Sequence, residues 1–85
     1  MQADLTLDCT GLKCPMPVLR AAKALRAMQP GQILHVTATD KAAQKDFATF
    51  CREGGHILLG TDALGPAAGG DATRFRIRRG GHAPA

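Results

Sequence analysis

Residues 7–40 read LDCTGLKCPMPVLRAAKALRAMQPGQILHVTATD, and this stretch decides the fold. Leu5 and Leu7 lead into it, alternating with Asp4, Thr6 and Asp8. That period of two marks a short, half-buried strand. Residues 10–17, TGLKCPMP, form a loop that ends in a helix start. Within residues 18–28 the apolar side chains Val18, Ala22, Leu25 and Met28 recur at spacings of four, three and three, one face of a helix. Its other side carries Arg20, Lys23 and Arg26. Gln29, Pro30 and Gly31 stop it. A second strand follows, with Leu34, Val36 and Ala38 on one face and Ile33, His35 and Thr37 on the other. The unit is β-α-β, and its crossover should be right-handed.

Working towards the C-terminus, Asp40 suits the N-cap of a second helix, because its carboxylate can accept orphan backbone N–H groups. That helix reaches about Glu53, with Ala43, Phe47 and Phe50 on its buried face, and Gly54 and Gly55 end it. Residues 56–61, HILLGT, read as a third strand. Residues 62–71, DALGPAAGGD, read as a flexible connection. Residues 73–79, TRFRIRR, alternate cleanly: Phe75 and Ile77 face in, Arg74, Arg76 and Arg78 face out. Residues 80–85 read as a frayed tail. The order β-α-β-α-β-β predicts an α/β (α+β) two-layer sandwich, a four-stranded mixed sheet with two helices on one face. Residues 1–80 form one domain and 81–85 a flexible tail.

The length of 85 residues allows one small domain and not two. With 45% hydrophobic and 21% charged residues the chain falls among soluble globular proteins, not disordered ones. No apolar run approaches the ~18 residues of a membrane span. Residues 1–10, MQADLTLDCT, lack the basic start and apolar stretch of a signal peptide. The expected location is the cytoplasm, with no membrane partner. The three cysteines, Cys9, Cys14 and Cys51, are an odd set, which speaks against a closed disulfide framework. The net charge of +4 suits an acidic protein surface or a nucleic acid.

Cys14 stands at a stiff corner. With Pro15 as first helical residue, Cys14 is the N-cap, and Pro17 still falls in the first turn, where no helical donor is lost. A residue before proline avoids the α region, so Met16 resists helix and draws the regular start towards Pro17. In either case the thiol lies at a helix N-terminus, where the dipole favours a thiolate. Lys13, Arg20 and Lys23 add positive charge, so the thiol pKa is expected to fall. The bland alternative is a small hydrophobe at a helix cap.

Residues 8–17, DCTGLKCPMP, resemble the D-x-x-G-x-x-C-P-x-P signature of TusA/SirA-like sulfur-carrier proteins, through Asp8, Gly11, Cys14, Pro15 and Pro17. Residues 28–40, MQPGQILHVTATD, are similar to the family's second strand and its entry to the second helix. Residues 45–51, KDFATFC, are similar to its D-I-P-x-F-C segment, and residues 74–81, RFRIRRGG, to its last strand. One position departs: Ala48 stands where the family usually has proline. The resemblance implies a sulfur relay. Cys14 would accept a sulfane sulfur as a persulfide from a cysteine desulfurase or rhodanese-like donor. It would then pass the sulfur to an acceptor protein, in tRNA thiolation, molybdenum cofactor synthesis or sulfur oxidation. Asp8, Gly11, Lys13, Pro15 and Pro17 would support the motif. Arg20, Lys23, Arg26 and Asp46 would meet partners. No cofactor is implied, and a carrier of this kind is sulfurtransferase-like without being a free-standing catalyst.

Other readings stay beside this one. Cys9 is a packed thiol or a resolving partner for Cys14, and Cys51 is core. His35, His56 and His82 with the cysteines lack the close pairings of structural zinc, so no metal site is expected. Asp8 reads as a loop cap, and Asp46 as a helix-surface charge near Lys41 or Lys45. The Arg74, Arg76, Arg78 and Arg79 face lacks stacking aromatics, which favours an acidic protein over nucleic acid. Gly80-Gly81 is followed by HAPA, so the pair does not end in the free carboxylate that ubiquitin-like carriers use. The competing function is a basic interaction or regulatory module in which Cys14 is structural.

Overall fold

Leu5 lies opposite Leu34 and Cys9 opposite Ala38, so β1 (Leu5–Cys9) and β2 (Ile33–Ala38) run parallel, joined by α1 (Met16–Ala27). The computed structural model describes residues 3–81. After β2 come α2 (Ala43–Gly54), β3 (Ile57–Ala67) and β4 (Gly70–Arg78), giving the β-α-β-α-β-β order. β4 inserts between β2 and β3, antiparallel to both, and the sheet order is β1-β2-β4-β3. The four-stranded mixed sheet with its two helices is the architecture the sequence pattern predicts.

The pairing explains the core. Leu34 faces Ile77 and Val36 faces Phe75 across the β2–β4 ladder, so one face of the sheet is continuously apolar. Ala21, Leu25 and Met28 of α1 and its exit, and Ala43, Phe47 and Cys51 of α2, bury against it. The Phe47 and Phe75 rings stack at 4.6 Å between centroids and tie α2 to the sheet. The buried stripe of α1 is Pro17, Ala21 and Leu25, one residue back from the expected Val18 and Ala22, which are half-buried. Val18 packs at the edge of the core and lines a groove together with residues of α2. Phe50, expected inside, is half-buried and stacks on His56 at 5.5 Å, while Cys51 takes the core position.

Three further expectations are corrected. Residues 62–71 are not a flexible connection: they complete β3 and begin β4, a long hairpin turning at Gly69 and Gly70 with φ of +88° and +136°. Pro66 is tolerated there because β3 is an edge strand, and the register shifts twice, leaving Leu59 and Leu64 without a β4 partner, each directly before a glycine. Asp40 does not cap α2; Ala42 holds that position without a side-chain bond. Arg79 does not join the basic face. It is buried, and its Nε donates to the Leu25 carbonyl oxygen at 2.6 Å at the end of α1. Gly80 is likewise buried, its N–H donating to His56 Nδ1 at 3.0 Å, so the chain stays packed through that residue. Residues 82–85, with His82, lie outside the described residues.

On the sheet face away from the helices, Arg74 and Arg76 both donate to Asp62 Oδ2, at 3.1 and 3.0 Å. His35 is buried nearby, and burial, then Arg74 and Arg76, hold its pKa below the ordinary value.

Candidate functional site

The site is assembled at the end of the sheet where β1 hands over to α1. Asp8 Oδ1 accepts from the Thr10 N–H at 3.0 Å and the Thr10 hydroxyl at 2.7 Å, the loop-capping role the sequence suggested. Those bonds keep its carboxyl below the usual range. Gly11, at φ +80°, donates its N–H to Thr39 Oγ1 at 2.9 Å. The hairpin tip closes over this junction. A Cβ on Gly69 would lie 2.8 Å from Thr39 Oγ1 and 3.0 Å from Gly11 Cα. Thus the loop before Cys14 is held by β2's exit and by the β3–β4 turn, two segments distant in sequence.

The corner itself begins with the Met16 N–H donating to the Lys13 carbonyl at 2.8 Å, and the Cys14–Pro15 peptide bond is cis. Pro15 is the N-cap and Met16 the first helical residue, with Pro17 directly after it. Cys14 therefore stands one position before the N-cap, not on it. Met16 is helical despite preceding a proline; the first-turn position of Pro17 leaves no helical donor missing.

Cys14 is exposed, and two carboxylates reach it from across the fold. Its backbone N–H donates to Asp40 Oδ2 at 3.0 Å, and its thiol donates to Asp46 Oδ2 at 2.9 Å. Asp46 lies in the first turn of α2, where the helix N-terminus favours negative charge. The expected fall in the thiol pKa is reversed. The bond to Asp46 pushes it up first, with some desolvation and the charges of Asp46 and Asp40 behind it. The cations were read from sequence neighbours, whereas the deciding charges arrive 26 and 32 residues downstream.

A groove of about 450 Å³ opens beside the sulfur, lined by Cys14, Pro15, Val18, Lys45, Asp46, Thr49, Phe50 and Glu53. Its lining combines apolar Pro15, Val18 and Phe50 with charged Lys45, Asp46 and Glu53. Lys13, Arg20, Lys23 and Arg26 are exposed, none of them lining the groove. Cys9 and Cys51 are buried in the core, and burial raises both pKa values, that of Cys51 to about 11. A Cys9–Cys14 disulfide would have to pull Cys9 out of that core. Among the described residues, the cysteines and histidines do not gather into a zinc-like set. Cys14, Asp40 and Asp46 bring donor atoms within 4.8 Å, a mixed soft and hard group unlike the Cys and His sets of structural zinc. Asp40 and Thr39 are the site residues that sequence reading missed. Asp40 was legible only as a polar residue before a helix, a signal that points to capping.

Comparison with known proteins adds the following. The family model described as "Sulfurtransferase TusA" matches residues 5–79. The sulfur carrier protein TusA of Allochromatium vinosum is 52% identical over 56 residues, 66% of this chain and 74% of that one. YrkI of Bacillus subtilis, designated a candidate sulfur carrier, is 44% identical over 81 residues, 94% of this chain and 100% of its own. A crystal structure of a SirA-like protein from Desulfitobacterium hafniense superposes with a TM-score of 0.68 at 25% identity, covering 89% of this chain and 97% of the other.

Proposed function

Because the chain belongs to the TusA sulfurtransferase family, we infer that it is a sulfur carrier that holds sulfane sulfur as a persulfide on Cys14. The observation that carries this reading is the contrast among the three thiols. Cys9 and Cys51 are sealed in the core, and Cys14 alone among them is exposed, at the mouth of a groove wide enough for a partner's sulfur. A purely structural cysteine has no use for that exposure.

Loading is thiol–persulfide exchange with a donor protein, a cysteine desulfurase or rhodanese-like enzyme. Unloading passes the outer sulfur to an acceptor of tRNA thiolation, molybdenum cofactor synthesis or sulfur oxidation, in the cytoplasm. Residues 1–80 act as one unit in this exchange, without a cofactor. The motif residues Asp8, Gly11, Lys13, Pro15 and Pro17 set the backbone of the corner. Arg20, Lys23 and Arg26, exposed on α1, offer charge that mainly raises the rate of docking.

The test is transfer of labelled sulfur from a desulfurase charged with labelled cysteine. The wild type should take up label that a thiol reductant releases. Cys14→Ser, whose site is on the surface, should fold normally and take up none. Label retained by Cys14→Ser would defeat the reading.

A further inference from the structure

The carrier reading leaves one group at Cys14 unexplained. A carrier thiol must lose its proton to make a sulfur–sulfur bond, yet here the thiol is tied to a carboxylate that keeps the proton on. The two carboxylates at the sulfur are not equivalent. Asp40 Oδ2 is engaged by the Cys14 backbone N–H at 3.0 Å and so fixes the backbone. Asp46 Oδ2 receives the thiol itself at 2.9 Å. The hydrogen bond from Sγ to Asp46 Oδ2 is the path a departing proton would take.

Resting on the carrier reading, we propose that Asp46 is the general base of loading: its Oδ2 takes the Cys14 proton as Sγ attacks the donor's sulfane sulfur. In the step the Sγ–H bond breaks and the Oδ2–H bond forms. Sγ bonds to the outer sulfur of the donor persulfide, and the donor's own sulfur–sulfur bond breaks. Its electron pair leaves on the donor cysteine sulfur, which then recovers the proton from Asp46. Cys14 is oxidised by the amount the donor cysteine is reduced, so no further reagent is needed. The raised thiol pKa agrees with this arrangement, since at neutral pH the attacking sulfur still carries a proton to remove.

The surroundings suit such a transfer. Pro15, Val18 and Phe50 line the groove with apolar surface beside the thiol, against which an entering sulfur can pack. The charged groups around Sγ are Asp40 from the loop after β2, Lys45, Asp46 and Glu53 from α2, and Lys13 on its own loop; the part of α1 that lines the groove, Val18, is apolar. Of these only Asp46 accepts from the thiol.

The probe is inorganic polysulfide, which needs no docking surface, with loading of Cys14 followed by mass spectrometry from about pH 6 to about pH 9. Wild type and Asp46→Asn are compared as a ratio of rates, which cancels the donor's own titration. Removing a general base should slow loading at neutral pH by about tenfold or more. The ratio should grow as pH falls, because the variant depends on free thiolate and the wild type does not. It should converge at high pH. A normal solvent deuterium effect on wild-type loading gives the same answer without relying on the variant. A ratio at or below one, or one that does not change with pH, overturns the proposal, since Asp46 would then only hold the thiol down or stabilise the surface. If polysulfide adds no sulfur to Cys14 in either protein, the proposal is overturned, and the labelled-sulfur transfer from the desulfurase decides separately whether the carrier reading falls too.

Discussion

Cys14 owes its character to partners that are not its neighbours in sequence. The local run of Lys13, Cys14 and two prolines argues for an ionised thiol, and the folded protein supplies Asp40 and Asp46 instead. The result is a thiol that is exposed yet protonated at neutral pH, and that needs its proton removed on demand. Cys14→Ser should abolish sulfur uptake with little change in stability, because a surface substitution away from the core lies within about 0.5 kcal/mol; uptake and thermal unfolding measured together check both parts. Asp46→Asn should leave the thiol easier to ionise in a direct pH titration of its absorbance, while polysulfide loading near neutral pH becomes slower. Those two changes run in opposite directions only if the carboxylate acts as a base. The motif residues Asp8, Gly11, Cys14, Pro15 and Pro17 were legible in the sequence as a unit. The carboxylates were not, since side-chain bonds between residues 26 and 32 positions apart follow from how α2 packs.

At the scale of elements, α1, β2, α2 and β4 could be read from hydrophobic period, and the stacked Phe47 and Phe75 follow from it. The β3–β4 hairpin could not. Its glycines, proline and alanines look like a linker, because what makes them a strand is pairing with β4, a contact no local pattern encodes. The hairpin matters to the site because its tip packs on Gly11. Gly69→Ala puts a Cβ against Thr39 Oγ1 and Gly11 Cα at φ +88°. It should cost about 1–2 kcal/mol and, by shifting the loop, slow loading of Cys14; urea unfolding and the loading rate measure the two effects. Arg79 is the other long-range tie, from the end of the sheet to the last turn of α1. Arg79→Met keeps the volume but loses two charge-assisted bonds, to the carbonyls of Leu25 and Gly80. The expected loss is about 1.5–3 kcal/mol, read from the urea midpoint.

For the whole molecule, two buried titratable groups limit stability at either end of the pH range. His35 has a lowered pKa in the fold, so the unfolded chain takes up its proton more readily. Its contribution is present above the ordinary pKa of 6.5 and is lost as pH falls through the lower folded value. Cys51, raised from 9.0 to about 11, acts in the other direction: the unfolded chain releases its proton first, and stability falls as pH rises from about 9 to 11. Urea midpoints measured across pH should fall on both sides, with His35→Leu flattening the acid limb and Cys51→Ala the alkaline limb. Throughout the middle range the core thiols stay protonated and enclosed, so the proposed carrier role falls to the exposed Cys14. That selectivity is the central claim. Its most direct test is to incubate the protein with a cysteine desulfurase and cysteine, digest it without reductant, and weigh the cysteine peptides. One added sulfur on the Cys14 peptide, removed by dithiothreitol and absent from the Cys9 and Cys51 sites, is the predicted result. Added sulfur on Cys9 or Cys51 with Cys14 unmodified would contradict the account.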